Sequence, residues 1–215
     1  MRVLAFGVFA GVFLLLCGCG SVYYGTMEKL GYHKREMLVD RVQEARDAQE
    51  QAKEQFQSAL EQFSAVVNFK GGELEKTYNK LRTELDRSEA RAKAVGHRID
   101  DVESVAEALF REWQSELDDY SNEELKRLSE EKLGQTRLRY ARLVAAMRSA
   151  EIKIEPVLSA FRDQVLFLKH NLNAQAIASL RQELTSVETD VEALIAEMEA
   201  SIAEANAFID AMSRQ

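Results

Sequence analysis

The thiol of Cys19 is the side chain whose neighbours point to a definite reaction. Leu16-Cys17-Gly18-Cys19 puts a leucine three residues before the cysteine and a glycine directly before it, the pattern of a bacterial lipoprotein processing site. The chemistry would be alkylation of the sulfur to a diacylglyceryl thioether, cleavage before Cys19 and acylation of the new amino group. Upstream stand one charge, Arg2, and an apolar run from Val3 to Leu16. That run has signal-peptide length and is short of the roughly 20 residues a membrane span needs. Cys17 fits worse, because Leu16 would occupy the place where a small residue is required. Three acyl chains anchor stably where one does not. Gly20 and Ser21 follow the cysteine, with no Asp directly after it. In a Gram-negative bacterium this favours the outer membrane, with the body in the periplasm. The alternative is one uncleaved inner-membrane anchor from Val3 to about Tyr24. A helix through Gly18, Gly20 and Gly25 would be a poor one.

The remaining reactive residues do not assemble into a site by spacing. His33, His97 and His170 are far apart, and none sits in an H-x-x-E or H-E-x-x-H arrangement, so no metal is expected. There is no G-x-S-x-G and no phosphate-binding G-x-x-x-x-G-K. Acidic pairs such as Asp100-Asp101, Glu123-Glu124 and Glu130-Glu131 have Lys and Arg nearby and read as solvated helix faces. No catalytic residue and no cofactor is expected. With 36 acidic against 28 basic residues the net charge is -8, which argues against nucleic acid as a partner. The sequence holds 2 cysteines; one would be discarded with the leader and the other lipidated, leaving no disulfide.

Two stretches could carry recognition instead. Lys29, His33, Lys34 and Arg35 cluster just after the tether, where Lys29, Lys34 and Arg35 could meet anionic headgroups; an ordinary solvated helix start explains them equally well. Val165-Leu166-Phe167-Leu168, continuing to Leu172, is the most apolar stretch past the leader. Its apolar residues cover nearly every helix face, so it is either buried all round or exposed in part for a partner, with Val165, Phe167, Leu168 and Leu172 as the docking residues.

The elements that must position these residues are long helices. One proline and 30 % charged residues give the composition of heptad-patterned chains. The first seam runs Leu38, Val42, Ala45, Gln49, Ala52, Phe56, Ala59, Phe63 and Val66, in alternating steps of four and three. It ends at Gly71-Gly72, which can take positive φ and reverse the chain. The second continues from Leu74 through Tyr78, Leu81, Leu85, Ser88, Ile99, Val102 and Leu109 to Trp113, a helix on the order of 70 Å long, with Gly96 as a local soft spot. Ser121 stands three residues before Glu124, as in a capping box. The third seam reads Leu125, Leu128, Leu133, Thr136, Tyr140, Leu143, Met147, Ile154, Phe161 and Leu168, slipping between Leu128 and Leu133 as a stutter would. Pro156 interrupts it and predicts a kink rather than two helices. Asn173 is placed to cap the fourth, which runs Ile177, Leu180, Leu184, Val187, Val191, Leu194, Met198, Ile202, Ala205, Ile209 and Met212.

The short links force sequential helices antiparallel. The expectation is an all-α, elongated antiparallel four-helix bundle, with separate coiled-coil hairpins as the competing arrangement because seam positions such as Gln49, Ser88 and Thr136 are polar. The organisation is a leader over 1–18, a lipidated tether over 19–32, and a helical body over 33–215 with helices at about 33–67, 73–118, 122–170 and 173–212. Heptads pair within one chain or between copies, so a homo-oligomer stays open.

Three strings are more specific than any heptad: Met27-Glu28-Lys29-Leu30-Gly31-Tyr32-His33-Lys34-Arg35 with Leu38-Val39-Asp40-Arg41-Val42, then Val67-Asn68-Phe69-Lys70-Gly71-Gly72-Glu73-Leu74, and Ala160 to Ala174. In these the chain resembles the bacterial domain of unknown function numbered 2959 over essentially its whole mature length. The resemblance implies a helical protein of Gram-negative bacteria, often with a lipoprotein signal and with no established activity. No catalytic or binding residue carries over from it. The expected function is a non-enzymatic envelope lipoprotein, tied to the membrane through its N-terminal lipid, that acts as a helical scaffold or docks an envelope protein. The alternative is an inner-membrane coiled-coil protein of membrane organisation or regulation.

Overall fold

The computed structural model describes residues 34–214, except Lys70 and Gly72. Cys19, Lys29 and the leader and tether regions lie outside the described residues. The body comprises α1 (Lys34–Val67), α2 (Leu74–Glu116) with a 3-10 turn at Leu117–Asp119, α3 (Glu123–His170) and α4 (Ala174–Ser213). No strand occurs among the described residues. α1 packs on α2 and α4, and α3 packs on the same two helices. The four therefore close an up-down-up-down bundle, not two separate hairpins.

Burial follows the seams. All nine expected positions of α1, including the polar Gln49, are buried, together with Met37 and Val67. Ser88 and Thr136 are likewise fully buried, each hydroxyl donating to the backbone carbonyl four residues earlier, Glu84 and Lys132. A helix can bury a serine or threonine in this way without an orphaned donor. Phe63 of α1 and Phe161 of α3 meet edge to face, centroids 6.2 Å apart, and fill the space across the bundle.

The chain reversals have local causes. Gly71 takes φ +133° in the α1–α2 link, a conformation a side chain disfavours. Asn173 caps α4 by accepting from the Ala176 amide at 2.9 Å. The cap of α3 corrects the expected box: it is Asn122, not Ser121, whose side chain accepts from the Glu124 and Leu125 amides at 3.0 and 3.2 Å. α3 runs unbroken through Pro156. The ring costs the Ile152 carbonyl its helical donor, and both Ile152 and Pro156 face solvent, where water can replace that bond.

Two seams shift by one residue. In α4, Ser201 and Phe208 are buried where the heptad predicts Ile202 and Ile209, and those two are half-buried. A straight helix drifts by about 20° per heptad, enough to rotate the neighbouring position inward. In α3, Leu125 and Leu128 are exposed, at 52 % and 41 %. Ser129 instead faces α2, accepting from the Trp113 indole at 2.8 Å.

The ends of the bundle are uneven. Lys34 at the start of α1 pairs with Glu112 of α2 at 2.8 Å, and Arg35 donates to the Met212 carbonyl of α4. Arg139 and Arg142 of α3 line one groove with Ala207 and Ala211 of α4, and Ser149 bonds Glu197 at 2.9 Å. This register puts Ser213 level with about residue 135 of α3, so that roughly 18 Å of α3 projects past α4.

Candidate functional site

Three places on the bundle bring together polar or apolar groups beyond the needs of packing. The first is the base of the projecting hairpin. Lys34 and Arg35 are held there by Glu112 and the Met212 carbonyl. Arg35 sits at the C-terminal end of α4, where the helix dipole favours a cation. Both cations thus bind the bundle's own end, and Lys34 is largely covered there.

The second place is the opposite end, at the α3–α4 turn. The expected docking stretch divides by helix face. Val165 and Leu168 are buried in the core, which removes them from any docking surface, because the a/d row of α3 points them inward. Phe167 and Leu172 are both 39 % exposed, and Leu166 is more exposed still. α3 stops here because Asn171 leaves helical geometry: its amide bonds the Leu168 carbonyl at 3.1 Å and its side chain donates to the Phe167 carbonyl at 3.0 Å. Lys169 and His170 lie in the last turn, where they oppose the negative end of the dipole. Arg181 of α4 ties this end together through the Val67 carbonyl at 3.1 Å. The tip therefore presents three apolar side chains on a fixed frame.

The third place is the α2–α3 seam, where charge is concentrated. The guanidinium of Arg148 reaches Asp100 at 2.7 Å, Glu103 at 2.6 Å and Glu151 at 2.7 Å. Its hydrogen bond to Glu103, followed by those to Asp100 and Glu151, raises its pKa further above the usual arginine range. One layer along, Arg162 bridges Glu89 and Glu155, both at 2.6 Å. A groove of about 520 Å³ runs between them, lined by Gly96, His97, Asp100, Glu151 and Arg162. Its carboxylates are engaged by Arg148 and Arg162 of α3, Asp100 and Glu89 across the seam and Glu151 and Glu155 along the same helix, and no group of three or more His, Cys, Asp or Glu among the described residues could hold a metal. α2 runs unbroken through Gly96. A Cβ there would lie 2.8 Å from Glu151 Oε1, so the missing side chain admits the carboxylate of α3.

Two buried polar features had no sequence signal as partners. Glu84 of α2 accepts from Gln55 at 2.6 Å and Ser58 at 3.3 Å of α1, and from Arg87 at 2.9 Å. Gln49 Oε1 accepts from Ser201 across the α1–α4 interface. Tyr140 packs edge to face on Phe110 at 5.2 Å. Burial, with Glu103 nearby, pushes its phenol up to about 12. None of these groups pairs a nucleophile with a base. Among the described residues no helix is long and apolar enough to cross a membrane.

The chain belongs to the family described as protein of unknown function (DUF2959), whose model matches residues 23–212. No curated protein and no solved structure matches it.

Proposed function

We propose that this protein is a non-enzymatic envelope lipoprotein: a helical rod fixed at one end by a lipid on Cys19, with the α3–α4 turn as the docking end for a partner in the periplasm. The observation that carries the reading is the placement of the two ends. α1 begins at Lys34, some 15 residues after Cys19, at one end of the bundle, while Phe167 and Leu172 are exposed at the other. α4 spans 40 residues, so the separation is about 60 Å. A rigid spacer of this length holds an apolar contact well away from a bilayer. Paired charges on the seams and a filled core supply stiffness. Outer-membrane placement rests on Gly20 and Ser21 after the cysteine.

The test is in-cell photocrosslinking from Phe167 or Leu172, combined with fractionation of a Cys19→Ser variant. The expected result is one reproducible envelope protein captured from the tip, and a variant that no longer matures or partitions with the outer membrane. Normal maturation of Cys19→Ser, or capture from the middle of the rod and not from the tip, contradicts the proposal.

A further inference from the structure

The outermost row of α3 is uncharged and largely apolar, where the solvated face of a rod is expected to carry charge. Leu138, Ala145, Ile152, Ser159 and Leu166 recur at heptad spacing, and all five are exposed. Leu138, Ile152 and Leu166 are so by 64 %, 72 % and 57 %. The buried rows of the helix, such as Leu143, Ala150 and Val157, point the opposite way, so the five side chains form the crest of its outer surface. Two charged edges flank this crest. Arg142 and Asp163 stand three heptads apart on one edge, and Arg148 and Glu155 one heptad apart on the other. Neither Arg142 nor Asp163 has an ion-pair partner among the described residues. About 31 Å of helix separates the two, so they cannot pair with each other within one chain.

We propose that this crest is a self-association surface, on which α3 of a second copy packs antiparallel about a two-fold axis through Ile152.

The side chains are symmetric about that point. Leu138 and Leu166 stand equally far from Ile152, as do Ala145 and Ser159. The axis therefore sets Ile152 against itself, Leu138 against Leu166 of the second copy, and Ala145 against its Ser159. A two-fold axis perpendicular to the rods also lays each edge beside the same edge of the other copy. Arg142, ten residues before the axis, then comes beside Asp163, eleven after it. On the other edge Arg148, four before, comes beside Glu155, three after. Each match occurs twice, and the first supplies a partner to two charges that lack one. A parallel pair joins opposite edges instead. There it matches only Asp163 with Arg162, which Glu89 and Glu155 already hold. Charge complementarity thus selects a second copy in the antiparallel sense.

The size of the strip sets the strength. Over residues 138–166 it is about 42 Å long and one helix diameter, about 10 Å, wide. Its footprint of about 420 Å² per copy falls below the roughly 800 Å² that each partner buries in a standard interface. The dimer belongs to the weak, exchanging class, with a Kd on the order of tens of micromolar. The starts of α1 lie at opposite ends of this dimer, so two rods standing on one leaflet do not form it: the standing rod is the monomer. Phe167 and Leu172 stay outside the strip.

The inference rests neither on the lipid nor on the tip. Sedimentation equilibrium of the full-length chain in detergent tests it, with circular dichroism to confirm that each variant is folded. The parent is expected to pass from monomer to dimer between about 1 and 300 μM. Arg142→Asp and Asp163→Arg, each of which sets like charges against one another across the axis, are each expected to weaken the dimer at least fivefold. Ile152→Asp is expected to weaken it at least tenfold. An equal mixture of the two charge variants, and a single chain carrying both substitutions, are expected to return to within threefold of the parent, because opposite charges again meet at every 142–163 pair. A parent that stays monomeric throughout, a dimer indifferent to Ile152→Asp, as one held by the micelle or by another surface would be, or charge variants that do not recover together overturns the proposal.

Discussion

Ser201 donates its hydroxyl to Gln49 Oε1 at 2.8 Å inside the bundle, joining α1 and α4 between two side chains that are both fully buried. Gln49 Nε2 has no partner there. A buried amide half-satisfied in this way costs stability yet penalises any slip of α4 along α1, because a one-step shift would orphan the other half too. Ser201→Ala is predicted to cost about 1–2 kcal/mol, since it leaves the carbonyl oxygen buried and unpaired. Gln49→Leu combined with Ser201→Ala removes both groups and is predicted to be as stable as the parent or more so. Urea unfolding of the two variants checks this; equal losses in both would show that the polar pair is net stabilising.

The Phe63–Phe161 contact lies where α1 and α3 approach across the core, both rings fully buried. Truncation of either to alanine is predicted to cost about 3–5 kcal/mol, the usual range for a buried aromatic. The double variant should lose less than the sum, because the two rings share one space. Thermal unfolding followed by circular dichroism measures all three.

Two helix glycines separate propensity from packing. A methyl group placed on Gly134 would have no neighbour within 4 Å, whereas one placed on Gly96 meets the end of the Glu151 side chain. Gly134→Ala is therefore predicted to gain about 1 kcal/mol. Gly96→Ala gains the same propensity but displaces a carboxylate bonded to Arg148, so its gain is smaller. Chemical denaturation of each, with the ordering as the readout, decides the point.

Tyr140 gives a pH signature. Its folded pKa is raised, chiefly by burial, from 10.0 to about 12. Below pH 10 the phenol is protonated in both states and its burial carries no titration cost. Between pH 10 and 12 the unfolded chain ionises and the folded one does not, so stability falls with rising pH over that window. Tyr140→Phe is predicted to fall less steeply across it. Unfolding midpoints of both proteins at pH 9, 10, 11 and 12 supply the comparison, and parallel curves would rule out Tyr140 as the source of the fall.

How far the sequence reaches depends on whether a residue's environment is local. The α1 seam is fully legible because each of its positions has core beneath it, and Asn173 is legible as a cap because capping involves only the next three residues. Ser121 and Asn122 compete for one cap, and residue type alone does not choose between them. Ser201 and Phe208 escape the pattern because a 3.5-residue rule is rigid where the helix drifts. Leu125 and Leu128 look like core until α4 is known to stop short. Glu84 and Arg148 owe their cross-helix partners to residues 26 to 48 positions away, a distance set by register and not by any motif. The docking stretch is visible as apolar, but its division into buried Val165 and Leu168 and exposed Phe167 and Leu172 needs the helix face.

The lipid anchor is tested most directly by intact-mass measurement on the protein purified from its native membrane. The expected species is a chain beginning at Cys19 whose mass exceeds that of the polypeptide by a diacylglyceryl group and an amide-linked acyl chain. A chain beginning at Met1 with no added mass would contradict the anchor and the proposed function with it.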